Sequence, residues 1–300
     1  MSKFSVGLVF IVIAFNSHAQ LLTEPCGPEV VQTLRTAKAQ RYKTSQFNNI
    51  NDFAIKMLSC VGDSDPKIRD GLVYETYQTW LRSNALDIAT VRKIYAILVS
   101  ELSQFEADTV GFKRAFTALN LSEVVRVDRL TPFLSPQQRN TLIELISEIL
   151  SKTDDYRGFN QTEGWRHFIP HLADVYLQLA LNPAINQSQA QTIVDALIGK
   201  VSPENHFYHF GEPKRLAMPI VYLLFGNKIN PEQIAKRIQQ LALPTPFAAW
   251  SDAYMDEKGL AMLHNRRAFL NALFVLGSQT KHEQVQAILP SVLDAIKELG

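Results

Sequence analysis

His167, His171 and Asp174 stand at i, i+4 and i+7 within the segment Gly164-Trp165-Arg166-His167-Phe168-Ile169-Pro170-His171-Leu172-Ala173-Asp174. On an α-helix that spacing aims all three side chains from one face. Two neutral imidazoles and a carboxylate can hold one Zn²⁺ or a similar divalent ion and leave a position open for water. That is the donor set of a metal-dependent hydrolase. Phe168 follows His167 where a zincin would carry its glutamate base, so the base must come from elsewhere. Glu163, one turn before His167, and Glu212, one helical hairpin further on, are the candidates.

The same residues admit two other readings. In the first they satisfy one another between stacked helices, where unpaired polar groups are costly. Asp174 would orient His171, Arg157 would pair with Asp154 or Asp155, and Glu212 would pair with Arg215. In the second they form a polar pocket for an organic ligand or peptide, with Trp165, Arg157, Asp155 and Arg215 as contacts. His206, Tyr208 and His209 precede Glu212 at a spacing that also permits a metal site, although solvated loop histidines give the same pattern. Gly-rich phosphate loops, a Gly-x-Ser-x-Gly elbow and a dinucleotide fingerprint are absent, which argues against common nucleotide and serine-hydrolase chemistry.

The elements that must position these groups are helical. Ile94, Ile97, Leu98 and Leu102 repeat at three and four residues, as do Leu142, Leu145, Ile146 and Ile149, and no stretch alternates at period two. The stripe of Phe105, Phe112 and Phe116 reads as core. Asp65-Pro66, Ser135-Pro136 and Asn230-Pro231 each place a capping side chain before a proline at the first helical position. Helix starts are expected near residues 65, 110, 162, 212 and 258, and their partners near 87, 135, 186, 230 and 281. The spacing, roughly 45 to 50 residues, is that of αα-hairpin repeats stacked as a HEAT-like solenoid or an α/α toroid. The fold class is therefore all-α, as one array. Pro170 and Pro219 fall inside expected helices and should bend them.

Met1-Ser2-Lys3, the apolar run Phe4 to Phe15 and the small residues Ser17 and Ala19 make a secretory signal peptide over residues 1–19. Cys26 lies too far past Ala19 for a lipoprotein. Later runs are too short to span a bilayer, which gives a periplasmic or secreted protein with no integral membrane segment. Without Lys3 the chain has 29 basic and 29 acidic residues, a balance that argues against a nucleic-acid partner. Cys26 and Cys60, the only cysteines, are expected to pair in an oxidising compartment, with two buried free thiols as the alternative. Closing that loop is worth roughly 3 to 4 kcal/mol on the chain-entropy model. The organisation expected is a signal peptide over 1–19, an N-terminal helical cap over 20–60 and a helical repeat domain over 61–300.

Asp65-Pro66 with Arg69-Asp70, Asp108-Thr109-Val110 with Arg114-Ala115-Phe116, the stretch Asp155 to Asp174, Glu212 with Arg215-Leu216-Ala217, and Asn265 with Phe269-Leu270 follow one another in an order that resembles the bacterial DUF2785 family. The Gly-Trp-x-His-x3-His-x-Ala-Asp element is the most specific part. The resemblance implies an all-helical fold and no established reaction. It departs at Pro170, where a small residue is usual, and at Phe159. The functional expectation is an exported helical-repeat binding or scaffold module with a protein, peptide or small-molecule partner. A metal-dependent hydrolase with His167, His171 and Asp174 as ligands is the alternative.

If the N-terminal pattern is a signal peptide, the exported protein begins at Gln20. Intact mass of the exported form will give a product cut after Ala19, and full-length protein retained in the cytoplasm would contradict it.

Overall fold

The computed structural model describes residues 25–104 and 108–300. The expected signal peptide, its expected cleavage point and Phe105 lie outside them. The described chain is helical almost throughout. It opens with α1 (Pro28–Ala39) and α2 (Ile50–Lys56). A continuous helical rod follows: α3 (Pro66–Ile68), a π-helical stretch (Arg69–Tyr74) and α4 (Glu75–Arg82). Next are α5 (Ile88–Leu102), α6 (Phe112–Leu130) and α7 (Pro136–Lys152). A two-stranded hairpin, β1 (Phe159–Asn160) and β2 (Gly164–Trp165), precedes α8 (Phe168–Leu181) and α9 (Gln187–Gly199). The chain continues through α10 (Glu212–Phe225), α11 (Pro231–Ala242), α12 (Glu257–Ser278), α13 (Glu283–Gln286) and α14 (Leu289–Glu298).

Local chemistry explains most of the helix starts. Asp65, Asp87, Ser135, Asn186, Asn230 and Asp256 each accept a backbone N–H of the first turn, and Ser135 and Asn186 close capping boxes with Gln138 and Gln189. Nine of the ten expected starts fall within two residues of the observed ones; the exception is the helix expected near 162, which begins at Phe168. Here the Asn160 side chain accepts the N–H groups of Thr162 and Glu163 and turns the chain. Phe159 then pairs with Trp165 and Asn160 with Gly164. Beyond these two pairs, Arg166 N–H bonds Gly158 O and His167 N–H bonds Arg157 O. Glu163, Trp165 and His167 are therefore not on the helix that carries His171 and Asp174. Pro170 moves from the expected helix interior to the first turn, where its missing N–H costs no hydrogen bond. Pro219 does lie inside its helix, α10.

α4 packs on α6, α6 on α8, α8 on α10 and α10 on α12, while α5 covers α6, α7 lies against α9, and α14 joins α11 and α12. One apolar core runs through them from Val30 to Leu299 and includes Phe116. At the N-terminal end Cys26 and Cys60 form a disulfide, and the buried Trp80 meets Phe47 and Phe53 edge-on.

Arg69 fixes the hairpin to this body. Its side chain is wholly buried, and it donates to the carbonyls of Asp63, Ser64, Glu163 and Trp165. Its guanidinium lies 3.8 Å from the centre of the Phe112 ring, on which Arg166 also stacks at 4.2 Å. Replacing Arg69 with alanine strands these acceptors, and urea unfolding should register a loss of roughly 3 kcal/mol. Lysine, a point donor without the planar fork, should restore less than half of it. A variant as stable as the wild type would remove Arg69 from this role.

Candidate functional site

Between the hairpin and the loop before α10 lies an open cleft of about 780 Å³ whose lining includes Asp154, Tyr156, Arg157, Asn160, Glu163, Arg166, Asn205, His206, His209 and Phe210. A smaller hollow of about 330 Å³ continues past Asp154, Asp155 and Arg157 toward Asp108 and Arg114. The cleft sits where α6, α8 and α10 begin. Each of these helices has an N-cap residue in the left-handed region, namely Gly111, His167 and Gly211, and none has a side-chain cap from that position. Gly158 is required by a close approach, because a Cβ there would collide with the ring of Phe210.

The walls are held by buried polar groups. Asn265, on α12 and almost without exposure, accepts Tyr208 N–H at 2.8 Å and donates to His206 O at 2.7 Å. Tyr208 donates to Lys200 O at 2.9 Å. On this frame the Tyr156 and His206 rings stack at 4.9 Å, and His209 lies 4.1 Å from Phe210. Phe159, Phe210 and His167 surround Trp165 at centroid separations of 5.1, 5.7 and 4.7 Å, so Trp165 supports the cleft from beneath and does not line it.

Both arginines of the rim are matched by carboxylates. Arg157 makes a two-pronged bond to Asp155 at 2.7 Å for each prong, and Arg166 does the same with Glu163 at 3.1 and 3.3 Å. Both oxygens of Asp108 accept N–H groups at the start of α6, from Gly111 and Arg114. Glu212, buried at the start of α10, accepts Phe210 N–H at 2.8 Å. Its pKa is raised, chiefly by burial.

His171 and Asp174 are held deeper, by bonds to α6 and α10. His171 Nδ1 bonds Ala115 O at 2.9 Å, and His167 Nε2 bonds Phe210 O at 3.1 Å. A carbonyl only accepts, so each neutral ring spends its single N–H there. The two rings stand 5.7 Å apart, edge to face. Asp174 is gripped through both oxygens by Arg215. Asp174 therefore binds Arg215 and not His171, and Glu212 serves backbone and not Arg215. The expected convergence of His167, His171 and Asp174 on one ion does not occur, and among the described residues no group of three His, Cys, Asp or Glu side chains is placed to hold a metal. The helix assumed for Glu163 is a hairpin turn, so Glu163 is not one turn before His167 on a shared stripe.

Asp155, Arg157 and Glu163 thus come together in the cleft, whereas His171, Asp174, Arg215 and Glu212 hold the helices beneath it. Sequence reasoning missed Tyr156, Asn160, Asn205 and Phe210 as lining residues, and Arg69 and Asn265 as supports. For Asn205 and Phe210 the one signal was the aromatic and polar segment 202–211, which is rich in hydrogen-bonding side chains and lacks helical periodicity, whereas Arg69 and Asn265 stood out only among the residues that carry the family resemblance.

Burial pushes His167 down to about 4 and His171 to about 3, helped by Arg215 at the first and by His167 at the second. Above pH 6.5 both rings are neutral whether the chain is folded or not, so their contribution is complete. Below it the unfolded chain takes up protons that the folded protein refuses, and stability falls by about 1.4 kcal/mol per pH unit for each histidine. Asp174 and Glu212, both raised by burial, gain protons first in the folded state and oppose the decline at the acid end. Urea unfolding between pH 4.5 and 7.5 should show this fall, and His171→Gln should flatten it. Equal pH dependence in the two proteins would refute the assignment.

No curated protein and no solved structure matches the chain. The family model described as Protein of unknown function (DUF2785) matches residues 98–275, a span that includes α6, the hairpin, the loop before α10 and Asn265. With more than half of its length matched, the chain belongs to the DUF2785 family.

Proposed function

We propose that this protein is an exported binding module that holds its ligand in the cleft between the hairpin and the loop before α10. The observation that supports this reading most directly is pre-organisation. Arg69 anchors one wall and Asn265 the other, both from buried positions, so the cleft keeps its form without a ligand. A preformed cavity of about 780 Å³ lined by polar and aromatic groups suits small-ligand recognition, because little ordering is left to be done on binding. The side-by-side order of α4, α6, α8, α10 and α12, with α5, α7 and α9 as their partners, fits a HEAT-like stack of αα-hairpins. In such a stack the turns at one edge form a continuous rim. The Cys26–Cys60 disulfide accords with a secretory route and a periplasmic or extracellular location.

A thermal-shift screen of sugars, amino acids, nucleotides, short peptides and organic acids tests the reading. Asn205 is exposed and lines the cleft, so Asn205→Trp should fill it without unfolding the protein. At least one class should raise the Tm of the wild type and leave the variant unmoved. A screen without any hit, or hits that Asn205→Trp retains, would overturn the assignment of the cleft.

A further inference from the structure

The composition of the cleft narrows the ligand class, an inference that rests on the binding function proposed above. Anions find little to hold them. Arg157 and Arg166 are neutralised in two-pronged bonds by Asp155 and Glu163, and Lys152, at the edge of the smaller hollow, meets Glu148 at 2.5 Å. The helix starts that would otherwise attract a phosphate already have carboxylates, Asp108 at α6 and Glu212 at α10. Cations are no better served, since Asp155 and Glu163 are engaged, the charge of Asp154 is answered by Lys200, and no three-ligand cluster occurs among the described residues. The lining is too polar and too open for an apolar molecule.

What remains unengaged is hydrogen-bonding capacity beside flat rings. Among the described residues the carboxylate of Asp154 and the amide of Asn205 face the cleft without a hydrogen-bond partner, and the Asn160 side chain uses its oxygen while its NH₂ is unspent. Next to these groups lie the Tyr156–His206 stack and the His209–Phe210 pair. Planar side chains that exchange hydrogen bonds with hydroxyls, beside rings that pack against C–H faces, are the two requirements of a polyhydroxylated ring.

We infer that the cleft binds a neutral saccharide, with a pyranose face against Tyr156 or Phe210 and hydroxyls bonded to Asp154, Asn160 and Asn205. A volume of about 780 Å³ accommodates a chain of about two or three sugar rings.

An array of neutral and acidic glycans, followed by calorimetry with cellotriose, maltotriose and triacetylchitotriose, tests this on the full-length protein. At least one neutral glycan should bind, with affinity reduced at least tenfold by Asn205→Ala and abolished by Asn205→Trp. Inorganic phosphate and oligogalacturonate should not compete. Glycan binding unaffected by both variants would overturn the inference. So would a wild type that ignores every neutral glycan but binds another class in a manner sensitive to Asn205→Trp, and that result would leave the cleft as the binding site. If no ligand of any class binds, both readings fall together.

Discussion

A guanidinium withdrawn wholly from water must find a partner for nearly every N–H, and Arg69 finds four carbonyls on two separate pieces of chain. Two of those carbonyls belong to the hairpin, which has only two residue pairs in its ladder and would be marginal alone. The hairpin exists because Arg69 and the Phe112 ring beneath it give the turn a fixed seat. From that seat follow the positions of Glu163 and Arg166, the support of Trp165 by Phe159, and one wall of the cleft. A lysine has one point of attachment where this site needs several.

The polar stretch from Asp154 to Asp174 performs two tasks at two depths. At the surface, Asp155 and Glu163 neutralise the arginines of the rim and leave Asp154 and the amides open to a ligand. In the interior, His167 and His171 are kept neutral by burial and donate to backbone carbonyls of α6 and of the loop before α10, while Asp174 clasps Arg215 from α10. Truncating one partner of this half-buried pair leaves the other charge poorly compensated, so a substitution here costs stability whether or not a ligand binds.

Helix starts were legible because their causes are local. Asp65, Ser135, Asn186 and Asn230 cap helices that begin within a residue or two, and no distant contact is needed to see it. The hairpin was not legible, because the groups that make it worthwhile, the carbonyl acceptors of Arg69, lie 94 and 96 residues from their donor. Reading Trp165 to Asp174 as one helical stripe followed from the i, i+4 spacing of His167 and His171, yet His167 sits at φ 59° and ends the loop. The Cys26–Cys60 pair could be foreseen, since two cysteines allow only one bridge. Asn205 and Phe210 carried no periodic signature, and their place in the cleft depends on how Asn265 holds the loop.

Asn265 comes 57 and 59 residues after the backbone groups it secures. During synthesis the hairpin, α8 and the whole loop before α10 emerge well before α12, so the cleft has one anchored wall while the other still lacks its tether. A chain interrupted before α12 retains the apolar seams of the earlier helices but not the bond that sets the second wall. Competence for the proposed binding would in this sense arise only once α12 has docked, and occupancy of the cleft would report that docking.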